Sequence, residues 1–503
     1  MNGHSSDSIP LTHRGGVCQP ERAAARALRH VQRPAEVATR RGAPRSHAPA
    51  RLPVSEQRTW PAVLSPSSGR PSRPDHILTV KSAGSPPVPR WRLRSGDPPA
   101  PALLLSGVVG STRLAENGAM RGIYVHVPFC ARKCDYCDFY SVVSGEEAKE
   151  EFAGLVAREI DLVLRDYPAE ADFPADTVYF GGGTPTVLGA SPLVSLLSAI
   201  RGRFPVADGA EITFEANPGT VTGDDFLRLR DGGFTRVSLG VQSFRPATLS
   251  TLGRIHSVED VRAAYRDARR AGFPSVGIDL IFGNPGQSPD DWQSDLDRAV
   301  TFLPDHISAY ALAPEPGTPI HGSIAGGEIA LPDDDAVARM YEAARETFSA
   351  AGYRHYEISN FSRPGKECRH NLKYWRREGY LGLGPSAHGL LFPKETGPWG
   401  IRTANPPSLD EYARALGEGR LPWSAVESGD REQTWNDFLI FGLRLEEGIS
   451  FAEGEKRYGP PPSVLRGAVD RLIDTGMLLG EAGRIRMPER HWFVSNEILR
   501  RFA

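Results

Sequence analysis

The sequence predicts an α/β protein of barrel type, followed by a small C-terminal module. Two observations support this fold class. Runs rich in β-forming residues alternate with helical stretches six times after residue 121, and polar motifs recur at the ends of nearly every strand. Alternating strands and helices imply parallel strands joined by crossover helices. A doubly wound sheet is the alternative, but polar strand ends suit a barrel whose C-terminal rim carries the active site.

Six segments have the composition of buried strands. They are residues 123–128, 177–182, 211–216, 236–242, 275–282 and 306–312. Helical stretches follow these strands near 146–166, 191–203, 222–232, 258–271, 289–302 and 335–351. Each strand is therefore paired with a helix, as the β/α repeat requires.

The last part of the chain, 431–503, has a different pattern. Apolar residues recur at helical spacing near 432–445 and 462–475, and 477–487 is typical of a β-hairpin. Helices with a hairpin predict a helical, winged-helix-like domain. The hairpin is not notably basic, so we interpret this domain as a lid or docking module and not as a DNA-binding one.

The first part, 1–118, is predicted to be a disordered basic extension. Residues 1–100 contain 16 Lys and Arg against 6 Asp and Glu, and 15 of the 43 prolines. Such a segment cannot bury enough apolar surface to offset its ordering entropy. A contact of this tail with nucleic acid and a start assigned upstream of the true one at Met120 are the alternatives.

Cysteine usage and hydropathy predict a cytoplasmic protein. Three of the five cysteines lie in one short loop, which does not form a disulfide framework and fits a reducing compartment. No run approaches the ~18 apolar residues that span a bilayer, and the first residues lack the pattern of a secretory signal.

That loop carries the main chemical motif. Cys130, Cys134 and Cys137 have the spacing C-x3-C-x2-C after the first predicted strand. Three thiolates on one loop can hold three irons of a cubane cluster and leave the fourth iron open to a small molecule. The alternatives are a zinc knuckle and buried thiols. A structural zinc site needs four ligands, and Cys368 is more than two hundred residues away.

The loop resembles the cluster motif of the radical S-adenosylmethionine (SAM) superfamily. The resemblance implies a 4Fe-4S cluster whose open iron chelates SAM, and a partial (β/α)6 barrel. The turn from Phe180 to Pro185 is similar to the glycine motif of that family, since glycines let backbone amides approach a ligand closely.

Polar side chains at later strand ends extend the predicted site. Glu215 and Gln242 lie at the ends of successive predicted strands, and Arg254 follows before the next one, where its guanidinium could pair with a carboxylate. Asp279 is an acid in an apolar strand that needs a ligand or an arginine as partner. Each could equally be a satisfied structural group. The resemblance to the family that includes oxygen-independent coproporphyrinogen III oxidase implies SAM contacts at Tyr124, Tyr136, Gly182, Gly183, Thr184, Glu215, Gln242, Arg254, Asp279 and Ala313.

Two functions compete within this family, the oxidase and a haem chaperone of the HemW type. The oxidase motif has a fourth cysteine where this chain has Phe139. The segment 368–375 contains His-Asn-x-x-Tyr-Trp, which resembles the HemW signature associated with haem. Both features favour the chaperone, with His370 as the candidate haem ligand and Cys368 and His388 as reserves. A lone histidine is more often structural.

The chaperone interpretation implies three bound groups, the cluster, SAM and haem. It also implies a haem-acceptor protein, which could be membrane-associated, and an electron donor such as a flavodoxin or ferredoxin, with no nucleic acid. The predicted domains are 119–360 for the barrel, 361–430 for the haem-motif region and connection, and 431–503 for the C-terminal domain. Asn284 departs from the usual leucine of the family in a loop.

Overall fold

A twelve-stranded sheet organises residues 120–502, which are the residues described by this computed structural model. The predicted extension 1–118 lies outside them. Six strands run parallel in sequence order at the centre of the sheet. They are β1 (Arg121–Val127), β2 (Ala175–Gly182), β3 (Val206–Ala216), β4 (Arg236–Gln242), β5 (Ser275–Phe282) and β6 (His306–Ala311). The predicted parallel β/α repeat is thus confirmed, although β3 begins five residues earlier than 211.

Helices follow each of these strands. They are α1 (Glu146–Asp166), α2 (Ala190–Arg201), α3 (Gly223–Asp231), α4 (Pro246–Thr251), α5 (Val258–Arg270), α6 (Pro289–Thr301), α7 (Pro319–Ala325) and α8 (Asp334–Ala350). Three of them, α3, α5 and α6, begin with the same capping box, in which a hydroxyl and an aspartate three residues later satisfy each other's backbone amides. The sequence therefore fixes these helix starts locally.

Burial explains why the central strands are continuous apolar runs in the amino-acid sequence. Every residue of β1, β4 and β5 is buried. Strands of a parallel sheet are covered on both faces, so they lack the alternation of a half-exposed strand. Polar residues inside such strands, for example Asp279, are consequently placed where an unpaired group is costly.

Antiparallel strands extend both sides of the sheet. On one side, β7 (Arg354–Glu357) and β8 (Asn360–Ser362) follow β6. On the other, β9 (Tyr380–Leu383) pairs parallel to β1 and is followed by three antiparallel strands. These are β10 (His388–Leu391), β11 (Ile401–Ala404) and β12 (Ala425–Ser428), which is an edge. The sheet ends at β7 and β12 and does not close, so the barrel is partial.

Two short helices connect this region. The helix α9 (Arg369–Trp375) carries the His-Asn-x-x-Tyr-Trp motif and contacts β1 and β2, and α10 (Leu409–Gly417) packs against α1. Together with these helices, the segment 361–430 contributes the four strands β9, β10, β11 and β12 to the sheet that carries the site.

The last part of the chain is mainly helical. It contains α11 (Arg431–Gly442), α12 (Phe451–Tyr458), α13 (Ser463–Asp474), the hairpin strands β13 (Leu479–Glu481) and β14 (Arg484–Arg486), and α14 (Ser495–Leu499). The predicted helices and hairpin are present. Among residues 120–502, no helix is long and apolar enough to cross a bilayer.

Candidate functional site

The cysteine loop between β1 and α1 is held at its base and at its tip. At the base, the amide of Cys130 donates to the carbonyl of Val142 at 3.0 Å, and the amide of Val142 donates to Pro128 at 2.7 Å. At the tip, Asp135 accepts from the amide of Ile320 at 2.9 Å and donates to the carbonyl of Leu252 at 3.2 Å. The loop is therefore anchored by neighbouring elements of the barrel rim.

The three cysteines on this loop are half-buried and form no disulfide within the described residues. Within the described chain, no group of three or more His, Cys, Asp or Glu side chains has the arrangement that holds a single metal ion. Ligands of one zinc ion converge at about 2.3 Å from the metal. A cubane cluster takes each thiolate on a different iron and does not need this convergence, so the thiols suit a cluster better than a single ion.

A cleft that is partly open to solvent lies beside the loop at the carboxyl ends of the parallel strands. Most of the predicted site residues line it. They are Cys130, Cys134, Tyr136, Cys137, Gly182, Gly183, Thr184, Glu215, Gln242, Arg254 and Asp279. The structure thus brings together residues from the cysteine loop and from four strands of the sheet.

The glycine turn after β2 forms one wall of the cleft. The backbone of Gly182 has a φ of +108°, and a Cβ there would lie 2.6 Å from the ring of His126. A Cβ on Gly183 would lie 2.7 Å from the carbonyl oxygen of Phe129. Only glycine fits this approach of the turn to the start of the cysteine loop.

Glu215 stands at the end of β3 with its carboxylate in the cleft. The hydroxyl of Tyr179 donates to Glu215 Oε1 at 2.7 Å. Burial, together with the nearby charge of Asp279, raises the pKa of the Glu215 carboxyl to about 7, although the bond from Tyr179 opposes the shift. Glu215 is therefore poised to change its charge near neutral pH.

Asp279 lies deeper, in β5. The hydroxyl of Ser238 is 3.0 Å from Asp279 Oδ2, and Ser308 donates to the same carboxyl. Burial raises the pKa of Asp279, and these two hydroxyl groups oppose the rise. The hydrogen-bond partners of Asp279 in this structure are thus two serines, where the sequence predicted a ligand or an arginine.

Gln242 ends β4 in a conformation that is rare outside glycine, with a φ of +64°. The next turn is fixed by the buried Asp295 of α6, which accepts from Ser243 Oγ at 2.6 Å and from the amide of Phe244 at 2.8 Å. The amide oxygen of Gln242 is buried and has no hydrogen-bond partner within residues 120–502. An unpaired buried oxygen in a cleft is the position a ligand donor would satisfy.

The guanidinium of Arg254 points at the cysteine loop and not at a carboxylate. Its Nη1 lies 3.5 Å from Cys134 Sγ, and its Nη2 donates to the carbonyl of Gly240 at 2.8 Å and to Asn217 Oδ1. Tyr136 lies half-buried nearby, and desolvation raises the pKa of its hydroxyl. The guanidinium therefore supplies a positive charge beside the candidate ligand Cys134.

Three predicted residues do not line the cleft. Tyr124 is fully buried in β1, where its hydroxyl is 3.1 Å from His126 Nδ1. Ala313 is half-buried in the segment after β6. His370 lies beneath the cleft in α9 with 1% of its surface exposed.

Both ring nitrogens of His370 are engaged in this structure. Its Nδ1 is 2.8 Å from Thr177 Oγ1, and its Nε2 is 2.9 Å from the hydroxyl of Tyr374. Burial, with the nearby charge of Lys373, lowers the pKa of the imidazole to about 3, so the ring is neutral at ordinary pH. Neutral imidazole is the form that binds iron, but Nε2 must first leave Tyr374.

Other cleft residues were not among the predicted ones. Asn217, Ser238 and Gly240 all line the cleft. Asn217 follows Glu215 by two residues, and polar residues at a strand end are the signal that identified Glu215, so the same rule could have found it. Ser238 and Gly240 lie within a strand and give no such signal.

Comparison with known proteins agrees with this geometry. The family model described as the radical SAM superfamily matches residues 124–299, and the model described as the HemN C-terminal domain matches residues 430–494. The protein named heme chaperone HemW in Mycobacterium tuberculosis is 39% identical over 365 residues, which cover 71% of this chain and 91% of that protein. This chain belongs to the HemW heme chaperone family.

The HemW protein of Escherichia coli is 36% identical over 385 residues, which cover 76% of this chain and 97% of that protein. The solved structure of coproporphyrinogen III oxidase (HemN) from Escherichia coli has a TM-score of 0.65 at 22% identity, and the match covers 77% of this chain and 91% of the HemN chain. HemN therefore shares the fold. Membership of the HemW family confirms the interpretation drawn from Phe139 and the segment 368–375.

Proposed function

We propose that this chain binds a 4Fe-4S cluster and SAM in the cleft, binds haem, and delivers the haem to an acceptor protein. The observation that carries the first part is the set of three cysteine side chains on an anchored loop at the mouth of the cleft. The haem chaperone part rests on the relatives from Mycobacterium tuberculosis and Escherichia coli, both of which are named heme chaperones.

The residues of the cleft fit these groups. Thiolates are the ligands that iron–sulfur clusters use, and three of them leave one iron free for a further ligand. The buried oxygen of Gln242 lacks a donor within the described residues, and an ammonium or hydroxyl group of SAM would supply one. The glycine turn at Gly182 and Gly183 offers backbone groups without a Cβ in the way.

Each side chain then has a defined task. Cys130, Cys134 and Cys137 hold the cluster, while Glu215 and Gln242 orient the cationic and hydroxyl parts of SAM. When reduced, the bound cluster supplies one electron at low potential to the sulfonium of SAM. Arg254 compensates negative charge beside Cys134, which favours the loaded state of the site.

Haem is proposed to bind near the motif in α9. We keep His370 as the candidate iron ligand because its imidazole is neutral, which is the form that coordinates. Ligation through Nε2 would exchange the hydrogen bond to Tyr374 for a bond to iron, and would therefore require the imidazole or the Tyr374 side chain to turn away from the other. The family motif supports this assignment. Haem binding through His370 is weakened by the free energy needed to break the hydrogen bond that the coordinating nitrogen makes in this structure.

The acceptor and the electron donor are proposed partners. Arg132 and Lys133 are exposed on the cysteine loop and line the mouth of the cleft. A positive patch beside the cluster loop would attract an acidic donor, such as a flavodoxin or ferredoxin. We propose the cytoplasm as the place of transfer because the cysteine usage suits a reducing compartment.

Two assays on one preparation test this function against the oxidase alternative. The protein is reconstituted with iron and sulfide without oxygen, then titrated with haem while the Soret band is followed. A second portion receives SAM, reductant and coproporphyrinogen III. We expect saturable haem binding and no protoporphyrinogen. Turnover of the porphyrinogen would establish the oxidase instead, and absence of haem binding would refute the chaperone.

A further inference from the structure

A chain of hydrogen-bonded side chains joins two of the three candidate cluster ligands. It runs from Cys130 through Thr184, Asn217 and Arg254 to Cys134. We propose that Asn217 is a positioning residue that sets the reduction potential of the cluster by fixing the donors to these two sulfurs. This inference rests on the proposed cluster and goes beyond it, because it assigns a role to a side chain that holds no iron.

The first half of this relay begins at Cys130. Its Sγ lies 3.6 Å from Thr184 Oγ1, and the amide nitrogen of Asn217 donates to that hydroxyl oxygen at 2.8 Å. In the proposed loaded site Cys130 would be a thiolate, which only accepts, so the hydroxyl hydrogen of Thr184 would be the donor in this contact. By donating to one lone pair of this hydroxyl oxygen, Asn217 helps to hold the hydroxyl in place beside Cys130.

The second half begins at Cys134. Arg254 Nη1 lies 3.5 Å from its Sγ, and Arg254 Nη2 donates to both Asn217 Oδ1 and the carbonyl of Gly240. A guanidinium with two fixed acceptors has little freedom to turn away from the sulfur. Asn217 thus contributes to the orientation of the charge beside Cys134.

Only an amide side chain of the size of asparagine can both accept from Arg254 and donate to Thr184 at this position. The guanidinium has no acceptor atom, so the amide oxygen must face Arg254, and the amide nitrogen is then left for Thr184. A Cβ on Gly240 would lie 2.8 Å from Asn217 Oδ1, so glycine at 240 leaves the room that the amide occupies. An aspartate at 217 keeps the acceptor and loses the donor.

The effect on the cluster follows from charge. Reduction adds one negative charge to the cluster and its thiolates. Hydrogen bonds and a positive charge at the sulfurs stabilise the reduced form and raise the potential. Removing the amide loosens both donors, so the cluster becomes harder to reduce.

The test is a potentiometric titration of the full chain, reconstituted without oxygen and without SAM, with the reduced cluster followed by electron paramagnetic resonance. Wild type is compared with Asn217→Ala and Asn217→Asp, and Asn436→Ala in α11 is the matched control. Iron and sulfide are measured for every sample. We expect Asn217→Ala to lower the equilibrium constant for reduction of the cluster about tenfold. This corresponds to a fall of about 59 mV in the one-electron reduction potential.

The controls separate the outcomes. An Asn217→Ala potential equal to that of Asn436→Ala at full iron content would overturn the relay while leaving the cluster in place. If wild type itself holds no cluster, the proposed function fails. Asn217→Asp should also lower the potential, because it loses the donor to Thr184 and adds a negative charge. If Asn217→Ala cannot retain iron, Thr184→Val carries the comparison, because it removes the hydroxyl beside Cys130 without adding a charge. Thr184→Ser keeps the hydroxyl and should have the wild-type reduction potential. Thr184→Val lacks the hydroxyl and should have a lower reduction potential.

Discussion

The ring of Tyr179 stacks on the imidazole of His370, with the ring centroids 5.2 Å apart, while its hydroxyl donates to Glu215 at 2.7 Å. One side chain of β2 therefore touches both the cleft and the helix α9. Any ligand that changes the position or charge of Glu215 acts on a residue that also packs against the His-Asn-x-x-Tyr-Trp motif. This contact gives the proposed SAM site a short physical route to the proposed haem region.

The charge of Glu215 predicts a pH dependence of SAM binding. Its pKa is raised to about 7, so the carboxyl is neutral at pH 6 and ionised at pH 8. A cationic ligand prefers the ionised form, and affinity should rise about tenfold over this interval. Calorimetric titration of the reconstituted protein with SAM measures it.

Glu215→Gln is the matched control for that titration. SAM itself titrates in this range, and the amide variant shows only that contribution. The ratio of the two affinities should therefore rise with pH. A ratio that stays constant between pH 6 and 8 would show that the charge of Glu215 does not act on the ligand.

Replacing Cys134 by Ala should abolish the cluster. Wild type is expected to hold about four irons per monomer after reconstitution without oxygen. The variant removes one of three ligands and the acceptor of Arg254, so iron content and the brown absorption should both be lost. Cys368→Ala is the control, because that thiol is buried beside Glu211 and away from the cleft. A retained cluster in the Cys134 variant would remove this residue from the ligands.

The barrel and the cleft could be predicted because their signals are local. The cysteine spacing lies within eight residues, and Gly182, Glu215 and Gln242 each end a strand whose apolar run is visible in the sequence. Parallel strands in sequence order then bring these ends together.

What could not be predicted depends on distant neighbours. His370 was a candidate ligand from its motif, but its partner Thr177 lies 193 residues earlier in the chain, and no pattern reveals that contact. Strands of three or four residues, such as Asn360–Ser362, are too short to show a period and are held by pairing with a neighbour. Asn217 could be noticed as polar, but its link between two cysteines depends on the rotation of Arg254.

A buried glutamate far from the cysteines predicts a pH dependence of stability. Glu159 of α1 accepts from the amide of Gly384 at 2.8 Å, from Asn405 Nδ2 at 2.6 Å and from the Tyr412 hydroxyl at 2.7 Å. Burial nevertheless raises its pKa to about 7. The folded state therefore binds a proton more tightly than the unfolded state, and the stability it contributes at acid pH is lost as pH rises toward 7.

We expect Glu159→Gln to flatten this dependence. Between pH 5.5 and 7 the single group accounts for a fall of about 1.5 kcal/mol in the free energy of unfolding, which the amide no longer shows. Urea unfolding followed by tryptophan fluorescence in reducing buffer measures it at several pH values. Glu147→Gln, on the exposed face of α1, should keep the wild-type slope. An unchanged slope in the Glu159 variant would mean that the carboxyl stays ionised when buried.

The proposed ligation of haem iron by His370 predicts opposite effects of two substitutions, one of the histidine itself and one of its hydrogen-bond partner Tyr374. If His370 is the iron ligand, His370→Ala loses the Soret shift on titration with haem. Tyr374→Phe removes the hydroxyl that holds Nε2 at 2.9 Å, so the nitrogen becomes available without exchange. One hydrogen bond between neutral groups is worth about 1 kcal/mol, and haem should bind roughly fivefold more tightly to this variant.

Thr177→Val provides the matched comparison, since it removes the bond to Nδ1 and leaves the one to Nε2 in place. Tighter binding in Tyr374→Phe but not in Thr177→Val would identify Nε2 as the coordinating atom. A Soret shift that survives in His370→Ala would exclude this histidine as the ligand. Its stacking on Tyr179 would then be its main contribution, because the ring fills the space beneath Glu215 that a smaller side chain leaves empty.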